Sequence, residues 1–600
     1  MSHRRESSAD ALPRAKRQKV QEGTGDSRNG SSQANNYGHI PELVSLERSI
    51  SPPPVSRNPK APVYKPRGVT RVTLPEAPAE VKNGNIKPVP SPIHLTRIRD
   101  LPNSSNVDTI SLKDILGDPM IKECWQFNYT FDIDFLMSHL DQDVRDLVLV
   151  KVVHGSWKKE DPHRLSLEEA AERYPNVQLI TAYMPEPFGT HHSKMMILIR
   201  HDNSAQVVIH TANMISFDWT NMTQAAWLSP LLPLLPNHGL NEPNQPPSSE
   251  TGEVGSGTRF KRDLLAYLRA YGKGKTGKLV KELENYDFSE IRAALVASTP
   301  FKQKVGSSGN SDVLWGWPGL ERVLSSIACE TTPNGDYPRV VVQVSSIASL
   351  GQSNKWLSET FFNALSTASS ASPLGSPSPP PSLQKPKFSV IFPTADEIRR
   401  SLDGYHSGGA IHTKIQTAAQ AKQVAYMKPY LCHWASDSGN ASSRVDKLSP
   451  DVRQAGRNRA APHIKTYVRF VDSSMSRIDW AMVTSANLST QAWGAAPNAS
   501  GEVRICSWEI GVVVWPELWK GQDTSSGGST KVNMVPVFKQ DTPSIEGFDN
   551  GENEKRTLVG FRMPYDLPLV PYAKSSIPWC ATSSYAEPDW KGMTHNTGGF

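Results

Sequence analysis

The sequence predicts an α/β protein built from two related halves. Helical patterns such as residues 260–271 alternate with apolar β-type runs such as residues 339–344, and this alternation favours helices packed on sheets. Two segments, residues 188–227 and 462–493, repeat one order of strand, polar turn and strand. The chain of 600 residues is also longer than one hydrophobic core usually organises, so at least two domains are expected.

The first 105 residues are predicted to form a disordered tail, because they are rich in Ser, Pro and Asn and show no hydrophobic periodicity. Residues 1–100 hold 17 Lys and Arg against 9 Asp and Glu and so carry a net charge of +8, whereas the remaining 500 residues carry −2 and the whole chain +6. Within the tail, residues 13–20 form a basic cluster of nuclear-import type, for which an ordinary solvated charge run is the alternative. We therefore expect a nuclear protein whose folded part would bind nucleic acid through a local basic groove.

Two domains are expected after the tail, a first lobe over residues 106–300 and a second lobe over residues 301–600. An amphipathic helix starting near Ile110 marks the beginning of order. Three low-complexity stretches are predicted to be surface insertions. They lie near residues 236–257, 366–386 and 521–554.

The composition indicates a soluble intracellular protein. No apolar stretch approaches the 18 residues of a membrane span, and the amino terminus lacks the apolar region of a signal peptide. The five cysteines are scattered and form no Cys-x-x-Cys pair, which suits a reducing compartment. We expect no membrane partner.

Each repeated segment carries the same three polar residues at the same places. They are His192, Lys194 and Asn213 in the first copy and His463, Lys465 and Asn487 in the second. Side chains two positions apart on an extended strand share a face, so the His and Lys of each copy should project together. The return strand should bring its terminal Asn beside them. Each copy therefore predicts an imidazole, an ammonium and an amide at one point, which is half of a phosphate site.

A single His-x-Lys pattern means little, since composition alone gives about one in a chain with 16 His. A third example, His412 to Lys414, has no apolar return strand and no Ala-Asn ending, and we interpret it as unrelated. The two full segments share the pattern, the hairpin, the Thr/Ser-Ala-Asn ending and a following Thr-Gln-Ala-(Ala)-Trp. Coincidence at all four points is not a reasonable explanation.

These segments resemble the phospholipase D superfamily, and more narrowly its nuclear branch, the tyrosyl-DNA phosphodiesterase family. The resemblance runs from about Asp114 to Asp566 and rests on FGTHHSKMM, HTAN, WLSP, PHIKTY, SANLS and the Glu509 segment. The superfamily usually places an Asp five positions after each Lys, where this chain has Ile199 and Phe470. That departure is a signature of the narrower family. The resemblance implies two similar α-β-α sandwich lobes related by pseudo-two-fold symmetry.

The resemblance also implies roles for the shared residues. His192 would be the nucleophile, and His463 the general acid that releases the leaving group and then activates water. The two Lys and two Asn would hold the non-bridging oxygens, while Gln224 and Glu509 match positions that hydrogen-bond the catalytic histidines. The chemistry of the residues agrees, since imidazoles suit proton transfer near neutral pH and fixed cations stabilise a transferring phosphoryl group. No cofactor and no metal is expected.

Five further positions match DNA-contacting positions of the family. They are Tyr129, Phe188, Ser345, Ser346 and Ser485. Aromatic side chains of this kind stack on bases, although ordinary packing is the alternative for the two rings. His191 and His210 have no counterpart in the second copy and are expected to be structural. The segment Pro578–Ala581 lacks the second Trp of the family's Pro-Trp-x-Trp.

The implied function is removal of tyrosyl peptides of topoisomerase origin, and related adducts, from 3′ ends of single- or double-stranded DNA. The expected product is a 3′-phosphate, and the expected enzyme is a monomer. The alternatives are a general nuclease or phospholipase of the same superfamily and a non-enzymatic DNA-end-binding protein. The missing Asp pair and the nuclear-type tail disfavour a lipase, and the presence of all four catalytic His and Lys disfavours a non-enzyme.

Overall fold

The computed structural model describes residues 86–236, 252–305, 313–332, 336–369, 384–436, 452–521, 530–546 and 555–596. Residues 13–20, the predicted import cluster, lie outside these ranges. The described chain is organised by two large β-sheets with helices on their faces. The predicted α/β class is therefore confirmed.

The described ranges contain the following strands and helices. The strands are β1 (Ile86–Val89), β2 (Ile93–Leu95), β3 (Ile121–Phe127), β4 (Leu149–His154), β5 (Val177–Thr181), β6 (Met195–Arg200), β7 (Ser204–His210), β8 (Ala225–Leu228), β9 (Leu232–Pro233), β10 (Ala294–Ser298), β11 (Lys302–Lys304), β12 (Arg339–Gln343), β13 (Lys387–Ile391), β14 (Leu431–Cys432), β15 (Thr466–Phe470), β16 (Ile478–Thr484), β17 (Glu502–Arg504), β18 (Glu509–Val514), β19 (Lys531–Val537) and β20 (Arg556–Arg562). The α-helices are α1 (Leu112–Leu116), α2 (Ile133–His139), α3 (Pro162–Glu172), α4 (Ser216–Thr220), α5 (Gly257–Ala270), α6 (Lys273–Leu283), α7 (Gly316–Leu324), α8 (Phe362–Ser366), α9 (Ala395–Arg399), α10 (Ala418–Met427) and α11 (Thr490–Trp493).

The two sheets repeat one strand order. The first sheet contains the strand order β8-β7-β6-β3-β4-β5. Neighbouring strands from β8 to β3 are antiparallel, whereas β3, β4 and β5 run parallel to one another. The second sheet contains β18-β16-β15-β12-β13-β14 with the same directions at every step. The repeat seen in the sequence is therefore a repeat of the whole sheet topology.

Each sheet is covered on both faces, as the alternation along β6 illustrates. Met195, Ile197 and Ile199 belong to a core that also contains residues of the second sheet and of helices α5 and α6. Met196 and Leu198 face the opposite way, into a core with residues of α1 and α2. Strand side chains alternate between faces, so an uninterrupted apolar run is what a strand buried on both faces requires.

The positions of the missing superfamily aspartates lie in the central core. Ile199 and Phe470 are both buried, and both belong to the cluster between the sheets. A carboxylate there would lack polar partners, and burying an unpaired charge is costly. The apolar residues are therefore part of the packing of the two lobes.

Three predicted boundaries are wrong. Residues 86–105, assigned to the tail, contain β1 and β2, because these short strands pair with distant β20 and β8 and carry little local pattern. Strand β10 joins the second sheet although it precedes residue 301. Strand β19 lies inside the stretch 521–554 and pairs with β20 over seven residues. Most of the other predicted insertion residues lie outside the described ranges.

In the part of the chain that the structure describes, no helix combines the length and the apolar character needed to cross a bilayer.

Candidate active site

The open ends of two β-hairpins meet at one cleft of about 700 Å³. His192 and Lys194 immediately precede β6, and Asn213 follows β7, which pairs antiparallel with β6. The second hairpin, β15 with β16, has the same layout. The backbone carbonyl of Lys194 accepts the N–H of His210 at 3.0 Å, so the approach to the first strand and the end of the second are joined directly. The predicted convergence of the motif residues follows from this pairing.

Both hairpins turn at an Asp that stabilises the bend. Asp202 Oδ1 accepts the backbone N–H of Ser204 at 3.2 Å, and Asp472 Oδ1 accepts that of Ser474 at 3.0 Å. Such Asp residues mimic a backbone turn, and the polar runs at these places had indicated turns. The two turns fix the strand register, and the register fixes where each Asn stands.

Nine of the predicted site residues line the cleft. They are Tyr129, Phe188, His192, Asn213, Ser345, Ser346, His463, Asn487 and Glu509. The other four, Lys194, Lys465, Gln224 and Ser485, are fully buried behind its surface. The site thus consists of a lining and of a buried layer that supports it.

Glu509 holds His192 from the opposite lobe. Its Oε2 lies 3.0 Å from Nδ1 of His192, which leaves Nε2 as the free ring nitrogen. Ser485 donates its hydroxyl to the same oxygen at 2.5 Å. Burial acts to raise the pKa of Glu509, but the charge of His192 and these hydrogen bonds outweigh it, and the net shift is downward. A charged carboxylate on Nδ1 favours the tautomer whose Nε2 lone pair is available for attack.

His463 is held in turn by groups of the first lobe. Its Nδ1 lies 2.9 Å from Gln224 Nε2 and 3.1 Å from Asp218 Oδ2. Burial acts to raise the pKa of Asp218, but its hydrogen bonds with His463 and with the backbone N–H of Asn213 lower it overall. Burial and the charge of Lys465 lower the pKa of His463 to about 3, so this ring is neutral in the free site.

Backbone hydrogen bonds also join each histidine segment to the other lobe. The N–H of His192 donates to the carbonyl of Trp508 at 3.0 Å, and the N–H of Trp508 donates to Thr190 at 2.9 Å. On the other side, the N–H of His463 donates to the carbonyl of Thr223 at 3.1 Å. Each histidine segment therefore runs against a segment of the other lobe, and neither lobe contains a complete site.

The two lysines are buried close to each other. Burial lowers the pKa of Lys194 to about 8. Burial, with repulsion from Lys194, also lowers the pKa of Lys465 well below its usual value. Each ammonium donates to the carbonyl of its own motif histidine, at 3.1 Å for Lys194. The carboxylates of Asp218 and Glu509 offset this burial and repulsion only in part. Two ammonium groups held together in this way favour a phosphate group between them.

The orientation of the Asn487 amide is fixed by three donors. Its Oδ1 accepts the backbone N–H of Ser345 at 3.1 Å, the hydroxyl of Ser345 at 3.2 Å and the N–H of Ser346 at 2.9 Å. The oxygen is thereby occupied, and the amide N–H groups remain for a ligand. Ser345 and Ser346 lie at the cleft as predicted, and their contacts show that they also position this amide.

The predicted aromatic residues lie at the mouth of the cleft. The ring of Tyr129 is 5.5 Å from that of His192, and Phe188 is 81% exposed. An exposed ring at such a cleft is available for stacking on a base. Ser485 differs from the prediction, because it is buried and serves Glu509 instead of reaching the cleft.

His191 and His210 are buried away from the cleft surface. His191 contacts the carbonyl of Asn128 at 2.9 Å and the hydroxyl of Tyr271 at 3.0 Å, so both of its ring nitrogens are occupied. His210 packs against Trp219, with ring centroids 5.6 Å apart. Burial lowers the pKa of both to about 3. Both are neutral structural residues.

Two residues of the cleft, Asp218 and His412, were not predicted to belong to the site. Asn213 and Thr223 are ten positions apart, whereas Asn487 and Thr490 are three apart, so the first copy has seven extra residues that include Asp218. This difference in spacing could have indicated an additional functional residue in the first copy. His412 belongs to no third hairpin, yet its backbone bonds to Ser345 and Ile347 place it on the cleft wall. Other lining residues that were not predicted are Thr130, Thr190, Ile215, Phe217, Ala348, His406, Gly409, Ala410, Ser489, Gln491 and Ser507.

A duplicated sheet whose two His-Lys-Asn sets converge on one cleft defines a phosphodiesterase of the phospholipase D type. The family model described as tyrosyl-DNA phosphodiesterase matches residues 92–573, and the chain belongs to that family. In the described residues, no group of three or more His, Cys, Asp or Glu is arranged to hold a metal ion.

Relatives extend along most of the chain. It is 30% identical over 557 residues to the "Probable tyrosyl-DNA phosphodiesterase" of Schizosaccharomyces pombe, covering 84% of this chain and 95% of that protein. It is 33% identical over 499 residues to "Tyrosyl-DNA phosphodiesterase 1" of Drosophila melanogaster, covering 82% and 73%. The crystal structure of yeast tyrosyl-DNA phosphodiesterase matches with a TM-score of 0.52 and 20% identity over 81% of this chain and 98% of that chain. This last similarity shows the fold.

Proposed function

We propose that this enzyme hydrolyses the phosphodiester bond between a tyrosyl peptide and a DNA 3′ end, through a covalent intermediate on His192. The proposal rests on one observation: each histidine is held by residues of the other lobe. Glu509 contacts His192, whereas Asp218 and Gln224 contact His463. Two histidines with different hydrogen-bond partners suit two different catalytic tasks. One attacks, and the other transfers protons.

In the first step, Nε2 of His192 bonds to phosphorus and the bond from phosphorus to the tyrosyl oxygen breaks. His463 gives its proton to that oxygen. The free site lowers the pKa of His463, and the arriving phosphodiester anion favours the protonated ring because opposite charges attract. The carboxylate of Asp218 stabilises the resulting imidazolium from the other side.

In the second step, His463 takes a proton from water, which attacks phosphorus and breaks its bond to His192. The products are a DNA 3′-phosphate and the free enzyme. Lys194, Lys465, Asn213 and Asn487 supply cations and amide donors for the non-bridging oxygens in both steps. Because these groups are already in place, no reorganisation of solvent is needed when charge develops.

Tyr129 and Phe188 support DNA as the substrate, because exposed rings at the cleft mouth can stack on any base. We expect single strands and frayed duplex ends to be accepted, with a monomer as the active form. We also propose the nucleus as the site of action, on the basic cluster at residues 13–20. A fluorescent fusion in which the four basic residues of the cluster are replaced by Ala should lose nuclear accumulation.

The main test uses an oligonucleotide with a 3′-phosphotyrosine, incubated with the protein in EDTA. Free 3′-phosphate is the expected product, and dependence on an added divalent ion would contradict metal-independent chemistry. The same assay with a plain 3′-hydroxyl oligonucleotide and with a phosphatidyl ester separates this function from a general nuclease and from a phospholipase.

A second test assigns the histidines. His463→Ala is expected to accumulate DNA covalently bound to His192, because the first step retains its nucleophile while the second loses its base. The matched control is His201→Ala at the exposed β6–β7 turn, which should behave like the wild type. An inactive His463→Ala protein that forms no adduct would reverse or refute the assignment.

A further inference from the structure

Two rings from opposite lobes meet on one wall of the cleft. Phe217 belongs to the short helix α4 of the first lobe, and His406 to the segment 404–410 of the second. Their ring centroids are 4.7 Å apart with an interplanar angle of 75°, an edge-to-face contact. Both line the cleft beside Gly409 and Ala410. The wall therefore presents aromatic surface to a ligand.

The half of this wall that comes from the second lobe is held rigidly. The buried Trp579 donates its indole N–H to the carbonyls of Gly408, at 3.1 Å, and Ile411, at 3.0 Å. A Cβ at Gly408 would lie 2.1 Å from the Trp579 ring, so only glycine allows this packing. The backbone N–H of Tyr405 also donates to Asp589 at 3.1 Å. A wall fixed in this way offers a preformed surface, which lowers the entropic cost of binding a rigid group.

The wall is connected through the chain to the residue that holds the proton-transferring histidine. Phe217 is followed directly by Asp218, whose carboxylate holds His463. His192 is flanked instead by Tyr129. In phosphoryl transfer the attacking and leaving atoms are roughly in line across phosphorus, so the leaving group departs away from His192 and toward His463. A departing group would therefore meet Phe217 and His406.

We infer that Phe217 and His406 form the binding subsite for the aromatic ring of the tyrosyl leaving group. This inference rests on the proposed function and adds the residues that select an aromatic adduct. Aromatic rings prefer edge-to-face or offset contacts, and such a pair gains affinity beyond its buried area. Removing one ring of the wall should therefore lower the preference for an aromatic leaving group by about three- to tenfold.

The test compares two adducts on the same oligonucleotide. One is the 3′-phosphotyrosyl ester, and the other a 3′-trifluoroethyl phosphodiester, whose leaving group is activated but has no ring. The measured quantity is the ratio of kcat/KM for the two adducts in each variant. Phe217→Leu keeps apolar volume but removes the ring, and the ratio should fall about three- to tenfold, mainly through KM. His406→Leu should do the same, whereas His406→Phe should keep the wild-type ratio.

Phe301→Leu is the matched control, since Phe301 is 56% exposed and is not among the residues that line this cleft. Its ratio should equal that of the wild type. Equal losses for both adducts in Phe217→Leu would mean that the wall serves DNA binding or folding, and would overturn the inference. An unchanged ratio would overturn it as well. Failure of the wild type to cleave the tyrosyl ester would instead refute the proposed function.

Discussion

Removal of the buried charge of Lys194 should stabilise the protein while it abolishes catalysis. The side chain is fully buried, and burial lowers its pKa from 10.5 to about 8. At neutral pH the folded protein therefore keeps a proton that its surroundings disfavour. One pKa unit corresponds to about 1.4 kcal/mol, so the charge costs the folded state about 3 kcal/mol below pH 8.

Methionine is a suitable replacement, since it is unbranched, apolar and adaptable in cores. Lys194→Met leaves the carbonyl of His192 without its ammonium donor, a loss of about 1 kcal/mol. The expected net gain in the free energy of unfolding at pH 7 is about 2 kcal/mol. Turnover of the phosphotyrosyl substrate should be lost in the same variant.

The pH dependence of the difference in unfolding free energy is a more specific test than its value at pH 7. Between pH 8 and pH 10.5 the unfolded lysine binds more protons than the folded one, so the stability of the wild type rises with pH in this window. The variant lacks this group. Its advantage should therefore be full below pH 8 and should disappear by about pH 10.5.

Urea unfolding followed by tryptophan fluorescence at pH 7 and pH 9.5 measures this difference. Lys278→Met, at an exposed position, is the control and should show no such trend. A Lys194→Met protein that is less stable than the wild type at pH 7, or whose advantage does not change with pH, would refute the account of a strained buried cation.

Three further outcomes are expected. Asp218→Asn should lower kcat about ten- to a hundredfold without unfolding, because a buried hydrogen bond to a charged group contributes about 1.5–3 kcal/mol. The control Asp263→Asn should keep the wild-type kcat in steady-state assays with the 3′-phosphotyrosyl oligonucleotide. Ser485→Ala, which removes one of the donors to Glu509, should lower kcat by less than tenfold, and a larger loss than in Glu509→Gln would contradict its supporting role. Ile199→Asp, which restores the usual superfamily carboxylate in a buried position, should lower the free energy of unfolding by more than about 4 kcal/mol in urea titrations, against about 1 kcal/mol for Ile199→Val.

Much of the site could be predicted because its signals are local. The apolar runs of β6, β7, β15 and β16 and the Asp-led turns between them lie within about twenty residues of each motif. Strand pairing in such a hairpin follows from adjacency, so the meeting of His, Lys and Asn could be read from spacing alone. The alternation of helices and strands gave the class for the same reason.

Other features depend on contacts between distant residues. Strand β1 pairs with β20 and β2 pairs with β8, and neither four nor three residues carry a pattern that distinguishes a strand from a polar tail. Ser485 could be placed near the site by sequence but not behind Glu509, because the depth of a side chain depends on the other lobe. The role of Asp218 was hidden for a similar reason, since it lies in an extra segment and serves a histidine far along the chain.

Each of the two histidines is held by residues of the other lobe, and this has a consequence for the newly made protein. A first lobe that has just left the ribosome contains His192 but still lacks Glu509, Trp508 and the second cation. Its imidazole is therefore neither oriented nor paired, and we expect it not to cleave nucleic acid. We therefore expect the chain to cleave a phosphodiester only when nearly all of it has been translated and folded.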